Sequence, residues 1–234
     1  MLVLAVAQPL VTSFDVAANA VAHAEAVRAA RARVVVFPEM SLTGYEFTAD
    51  PLSPDDARLT PLIAACADTG SIALAGAPVG GAGRSIGMLV VDGGGVRVGY
   101  RKQYLGGGEP AVFVPGTGPV VIEVDGWRLG LAICKDTGVE QHAADTAALG
   151  MDVYVAGVLE HASDFGVPAE RAVRIAAAHG VPVAIASFAG SSGEGFERAA
   201  GGSGVWAADG AVLARAGTLP GELVTAGLTR NDVE

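Results

Sequence analysis

Short apolar runs alternate with stretches of helical periodicity along most of the chain. Leu2 to Ala7 predicts a strand, Asp15 to Arg31 carries Val16, Val21, Ala24 and Val27 at helical spacing, and Val34 to Phe37 predicts a second strand. Pro38 to Ser53 predicts a loop and Pro54 to Asp68 a helix, with proline at its start and Gly70 just past its end. Ser71 to Gly76 predicts the next strand. Ile86 to Val91 and Val96 to Arg101 flank Asp92-Gly93-Gly94-Gly95, where glycine supplies the positive φ of a tight hairpin, so the sheet must contain an antiparallel pair.

Val120 to Val124 and Arg128 to Ile133 flank Asp125-Gly126 and predict a second hairpin, whose outgoing strand runs straight into Cys134. Gly138 to Leu149 and Ser163 to Ala178 predict helices on either side of a strand at Asp152 to Ala156. Pro182 to Ser187, Ser203 to Ala207, Ala211 to Arg215 and Leu223 to Leu228 predict the remaining strands. Hairpins and helical crossovers together imply mixed sheets with helices outside, an α/β fold. The glycine-rich pieces Gly80 to Gly83, Gly106 to Gly108 and Ser191 to Gly204 predict loops; none has the ending of a phosphate-binding loop, and there is no internal sequence repeat.

Composition narrows the function classes. A chain of 234 residues, 51% hydrophobic, buries one sizeable core without disulfides or metals, and a single domain over residues 1–234 is expected. A net charge of -10 repels both a phosphate backbone and anionic lipid, so no nucleic acid and no membrane partner is expected. Leu2 to Val6 has no basic residue ahead of it and meets Gln8-Pro9 too early for a signal peptide, and no apolar stretch approaches the roughly 20 residues that cross a bilayer. Cys66 and Cys134 lie in different contexts without metal-type spacing, which suits a reduced, cytoplasmic protein; a disulfide between them is the alternative. Of 15 basic residues only Lys102 and Lys135 are lysines, which marks them as positions where an arginine would fail, or where chance and packing suffice.

Three residues stand where chemistry is usually presented. Cys134 lies between a buried strand and the start of a helix, where helix N-termini and cations lower a thiol's pKa; the plainer reading is a small buried hydrophobe. Glu39 ends the apolar run Val34-Val35-Val36-Phe37-Pro38, where partial burial raises a carboxylate toward a useful base; the plainer reading is a loop acid or helix cap. Lys102 closes the strand Val96 to Arg101, where an ammonium serves a developing oxyanion or simply sits in solvent.

Taken together, Val-Val-Val-Phe-Pro before Glu39, Tyr100-Arg101-Lys102-Gln103-Tyr104-Leu105, and Gly130-Leu131-Ala132-Ile133-Cys134-Lys135-Asp136 resemble the nitrilase superfamily of carbon-nitrogen hydrolases. Gln8-Pro9, Pro38 to Tyr45, Glu109 with Phe113-Val114-Pro115-Gly116, Gly150-Met151-Asp152, Gly202 to Trp206 and Asp209-Gly210 extend the resemblance over nearly the whole chain. It implies a four-layer α-β-β-α sandwich of two mixed sheets that pairs through its helices into a homodimer or higher homo-oligomer. It implies Glu39 as general base, Lys102 as oxyanion stabiliser, Cys134 as nucleophile, Glu109 as a second glutamate that positions substrate, and the Lys135 backbone N–H as the other oxyanion donor.

The sequence departs from the family's usual pattern after the cysteine, at Lys135, Val139-Glu140-Gln141 and Ala144, and reads Ser187-Phe188-Ala189-Gly190 near the late strand. The chain stops at Glu234, soon after its last expected strand, so a short C-terminal extension is expected. Tyr45, Lys135 and Glu160 are further candidates for binding or positioning substrate; the Lys135 side chain either lines the pocket for a substrate carboxylate or pairs with Asp136. His142 and His179 are expected to be structural, and His161 structural or pocket-lining beside Glu160. The expected activity is metal-free and cofactor-free hydrolysis of a small amide, carbamoyl compound or nitrile through a cysteine thioester. The alternatives are a nitrilase-like binding or interaction module without turnover and a thiol redox sensor built on Cys134.

Overall fold

A computed structural model of the chain describes residues 1–230; residues 231–234, on which the expected short C-terminal extension bears, lie outside the described residues. The first half runs β1 (Leu2–Gln8), α1 (Val16–Ala30), β2 (Val34–Val36), α2 (Thr60–Thr69), β3 (Ile72–Val79), β4 (Ser85–Asp92) and β5 (Gly95–Arg101). The second half runs β6 (Val120–Val124), β7 (Trp127–Ile133), α3 (Glu140–Ala148), β8 (Val153–Val158), α4 (Val167–His179), β9 (Val183–Ser187), β10 (Ala189–Gly190), β11 (Ala199–Ala200), β12 (Gly204–Trp206), β13 (Val212–Arg215) and β14 (Glu222–Leu228).

Two six-stranded sheets result, ordered β14-β1-β2-β3-β4-β5 and β13-β12-β9-β8-β7-β6. Each has a parallel centre, β1-β2-β3 in the first and β7-β8-β9 in the second, because a helix makes each crossover there. The flanking pairs are antiparallel, as the hairpins at Asp92 to Gly95 and Asp125-Gly126 require. The two halves thus repeat one plan, β-α-β-α-β, without repeating its sequence.

Side-chain alternation builds the layers. Along β1, Leu2, Leu4 and Val6 enter a core between the sheets, whereas Ala5 and Ala7 pack beneath α1 and α2. Along β8, Val153 and Val155 face the other sheet, and Tyr154 and Ala156 face α3 and α4. The outcome is the four-layer α-β-β-α sandwich expected from the sequence, with both sheets covered on both faces.

Several expected boundaries move. The helix expected from Pro54 begins only at Thr60, because the Asp56 side chain accepts from the Arg58 N–H at 2.9 Å and caps a separate 3-10 turn, leaving Pro61 in the first α turn where its missing N–H costs nothing. The helix expected from Gly138 starts at Glu140, because Cys134–Gly138 closes its own 3-10 turn and Val139 is extended. Ser163 to Ala178 splits into a 3-10 turn, Ala162–Asp164, and α4, with Pro168 in the first turn of α4. The glycine-rich stretch from Ser191 is bracketed by β10 just before it and β11 within it, an antiparallel pair the sequence pattern did not disclose.

The chain after β2 passes between the two sheets, and two glycines make room for it. A Cβ on Gly76 of β3 would meet the backbone of Pro38, Glu39 and Met40, and one on Gly157 of β8 would lie 2.5 Å from the Phe37 carbonyl oxygen. Gly157→Ala is therefore expected to cost about 1–3 kcal/mol through overpacking. Urea unfolding measures it, and an unchanged midpoint would contradict the tight passage.

Candidate active site

Glu39 owes its place to the end of β2. Phe37 N donates to Leu74 O at 2.9 Å, the last ladder bond, and Pro38 has no N–H to continue it. The chain then turns, with Met40 at φ +50°, and the Glu39 side chain is buried. Lys102 follows β5, fixed by Lys102 N donating to Ile86 O and Gly116 N donating to Lys102 O, both at 2.8 Å. Cys134 follows β7 at φ +44°, a left-handed conformation that costs a non-glycine residue about 1–2 kcal/mol and aims the thiol across the sheet end, where it donates to Leu159 O at 3.3 Å.

These segments bring together five of the residues singled out in the sequence. Lys102 Nζ donates to Glu39 Oε1 at 2.7 Å and to Glu109 Oε1 at 2.6 Å, with all three side chains at most 2% exposed. Glu109 is held in turn by the Tyr45 hydroxyl, which donates to its Oε1 at 2.6 Å, and by Gly106 N, which donates to its Oε2 at 2.8 Å. The Cys134 thiol lies within electrostatic reach of both Glu39 and Lys102. Tyr45 is thus a support for Glu109.

Burial dominates the electrostatics. It pushes Glu39 up to about 7 against the pull of the Lys102 charge, with Glu109 pushing the same way as burial. For Lys102 burial alone would lower the ammonium, but Glu39, Cys134 and Glu109 together outweigh it and hold it above its ordinary value. For Cys134 burial comes first and Glu39 second, and both push the thiol well up, more than Lys102 pulls it down. The lowered thiol pKa expected from a helix start is therefore corrected: Cys134 opens only a five-residue 3-10 turn, and desolvation decides. A neutral thiol beside a carboxyl group of pKa about 7 is a pair across which one proton can move.

The remaining candidates lie around this centre. The Lys135 ammonium donates to Leu105 O at 2.6 Å, so the Lys135–Asp136 ion pair weighed from the sequence does not form. Asp136 points inward and is fully buried. Glu160 carries an ion pair of 2.5 Å with Arg171. His161 stacks on Phe196 with centroids 4.0 Å apart, Phe196 meets Tyr45 edge-on, Tyr45 meets Phe47, and Phe47 meets Phe113, a continuous aromatic wall. Phe47 and Phe196 were not among the sequence candidates; a lone aromatic in a glycine-rich loop was the only signal for Phe196. His179 ends α4, and both cysteines are free, Cys66 on α2. No group of three or more His, Cys, Asp or Glu among the described residues is arranged to hold a metal ion. No helix among the described residues is long and apolar enough to cross a membrane.

The model of the carbon-nitrogen hydrolase family matches residues 3–234. The chain belongs to the carbon-nitrogen hydrolase family. Among solved structures of similar fold, a mutant of the amidase from Nesterenkonia sp. AN1, showing the result of Michael addition of acrylamide at its active-site cysteine, has 26% identity and a TM-score of 0.86 over 98% of this chain and 94% of its own. A double mutant of that amidase in complex with acrylamide has 25% identity and a TM-score of 0.87 over 99% and 92%. A CN-hydrolase superfamily protein from Xanthomonas campestris with an arsenic adduct in its active site shares the fold at 16% identity and a TM-score of 0.87, over 99% of this chain and 92% of its own. No curated protein sequence matches the chain significantly.

Within this carbon-nitrogen hydrolase the raised thiol pKa has a spectroscopic consequence. The ultraviolet difference spectrum between the unaltered protein and Cys134→Ala is expected to show no thiolate band at neutral pH. A thiolate band there would mean that Lys102, not burial, sets the resting state of the sulfur.

Proposed function

We propose that this chain hydrolyses a non-peptide C–N bond of a small amide, or of a related carbamoyl compound or nitrile, with Cys134 as nucleophile, Glu39 as general base and Lys102 as oxyanion stabiliser. The observation that carries the reading is the buried ammonium held 2.7 and 2.6 Å from two carboxylates beside a cysteine thiol. Two of the three Lys102 protons go to carboxylates, which leaves one for a substrate oxygen.

In the first half-reaction Glu39 takes the thiol proton as Sγ attacks the carbonyl carbon. The C=O π electrons move onto oxygen, where the Lys102 ammonium and the Lys135 backbone N–H receive the oxyanion. Collapse re-forms the carbonyl, the C–N bond breaks, and Glu39 returns its proton to the departing ammonia or amine, leaving a thioester on Cys134. In the second half-reaction Glu39 deprotonates water, the hydroxide attacks the thioester, and the carboxylic acid leaves as the proton returns to sulfur. Glu109 keeps Lys102 in line throughout and is itself held by Tyr45 and the Gly106 N–H. The same reading takes residues 1–234 as one domain, a homodimer, acting in the cytoplasm.

Intact-mass measurement and ammonia assay, run over a panel of small amides, carbamoyl compounds and nitriles, test the reading. An acyl adduct confined to Cys134 with ammonia release is expected, and both are lost in Cys134→Ala. Lys102→Ala is expected to lower turnover on the order of 100- to 1000-fold, as loss of an oxyanion donor does. Tight ligand binding without adduct or ammonia would replace the hydrolase reading with a binding module.

A further inference from the structure

Cys134 sits in a strained backbone conformation at the end of one sheet, and Lys102 at the end of the other. Something must register the two loops, and a single carboxylate touches both. Asp136 Oδ2 accepts from Ile133 N at 2.9 Å, next to Cys134, and Oδ1 accepts from Tyr104 N at 2.8 Å, two residues past Lys102. The Tyr100 hydroxyl, two residues before Lys102, lies 2.8 Å from Asp136 Oδ2. Asp136 is fully buried, and the proposed mechanism gives it no part.

Behind it runs a buried chain of hydrogen bonds whose direction can be deduced. Tyr100 Oη lies 2.9 Å from His142 Nε2, and His142 Nδ1 lies 2.9 Å from Tyr154 Oη. A carboxylate only accepts, so the Tyr100 proton points at Asp136. The Tyr100 oxygen must then accept from His142, which places the imidazole proton on Nε2. Nδ1 is left with a lone pair, and Tyr154 donates to it. With a neutral imidazole every member of the chain is satisfied, and burial first of all disfavours the charged form of His142.

We propose that Asp136, as a carboxylate, is a positioning residue that sets Cys134 against Lys102, and that His142, as the Nε2–H tautomer, holds it there through Tyr100. An amide in its place has one accepting end. In either orientation of Asp136→Asn, one of the two main-chain donors, Ile133 N–H or Tyr104 N–H, meets another N–H, and one of the two loops is released. The inference rests on the nucleophile reading of Cys134 for its kinetic test but not for its spectroscopic one.

The kinetic probe is acrylamide, with adduct formation at Cys134 followed by intact mass at increasing reagent concentration and scaled to the folded fraction from circular dichroism. Asp136→Asn is expected to lower the limiting rate about a hundredfold, the usual effect of displacing a reacting group by an ångström, and to leave the half-saturating concentration unchanged. Tyr100→Phe removes one donor of three and is expected to lose about tenfold by the same effect in smaller measure, so it decides the matter should Asp136→Asn not fold. A residue that merely stabilised the fold would leave the limiting rate of folded protein unaltered.

The spectroscopic probe is ¹⁵N-histidine NMR of the unaltered protein, with His142 assigned by loss of its signals in His142→Gln. The Nε2–H tautomer is expected. The Nδ1–H tautomer, an imidazolium at neutral pH, or a wild-type limiting rate in folded Asp136→Asn overturns the proposal. Absence of both adduct and ammonia release in the unaltered protein overturns the nucleophile reading instead, and the tautomer then decides this one.

Discussion

Burying one ammonium between two carboxylates is the constraint from which the rest of the site follows. Removing a charge from water costs several kcal/mol, and a buried Lys102 without partners would be intolerable. Glu39 and Glu109, 2.7 and 2.6 Å away, make it tolerable, yet the result is two acids against one base in a dry place. That imbalance, with burial, is what lifts Glu39 to about 7 and keeps the neighbouring thiol protonated. Tyr45 and the Gly106 N–H both donate to Glu109 and hold it in place beside Lys102, opposite Glu39, the group proposed to move a proton.

The cluster also explains why the two sheets must meet in one register. Glu39 and Lys102 leave the ends of β2 and β5 in one sheet, and Cys134 leaves the end of β7 in the other. Their mutual distances therefore report how the sheets dock, not how any single element folds. Gly76 and Gly157 let the Glu39 segment pass between the sheets, and Asp136 ties the Cys134 turn to the strand that delivers Lys102. The Arg33 side chain grips Asp125 with bonds of 2.7 and 3.0 Å and so joins the first sheet to the β6–β7 turn of the second.

Much of this was legible in the amino-acid sequence, and the exceptions have physical causes. Leu2 to Ala7, Val34 to Phe37 and the two hairpins were readable because period and turn chemistry are local. Glu39, Lys102, Cys134 and Glu109 were readable because each lies in a motif that resembles the family's. What failed depended on contacts across the chain. The lowered thiol pKa weighed for Cys134 rested on a helix start and nearby cations, and burial with distant Glu39 outweighs both. Lys135 was offered Asp136 as a partner because they are neighbours in sequence, but Asp136 turns inward to Ile133 N, Tyr104 N and Tyr100. Phe47 gave no signal and Phe196 only that of a lone aromatic in a glycine-rich loop, since an aromatic wall assembled from separate loops has no sequence period.

The account's central claim is that the carboxyl group of Glu39 is suspended between burial, which neutralises it, and Lys102, which ionises it. A ¹³C NMR titration of the glutamate side-chain carbons, with Glu39 assigned by loss of its resonance in Glu39→Gln, measures that balance directly. The account predicts a midpoint near 7 for this resonance. A midpoint in the ordinary carboxylate range, about 4.3, would contradict it.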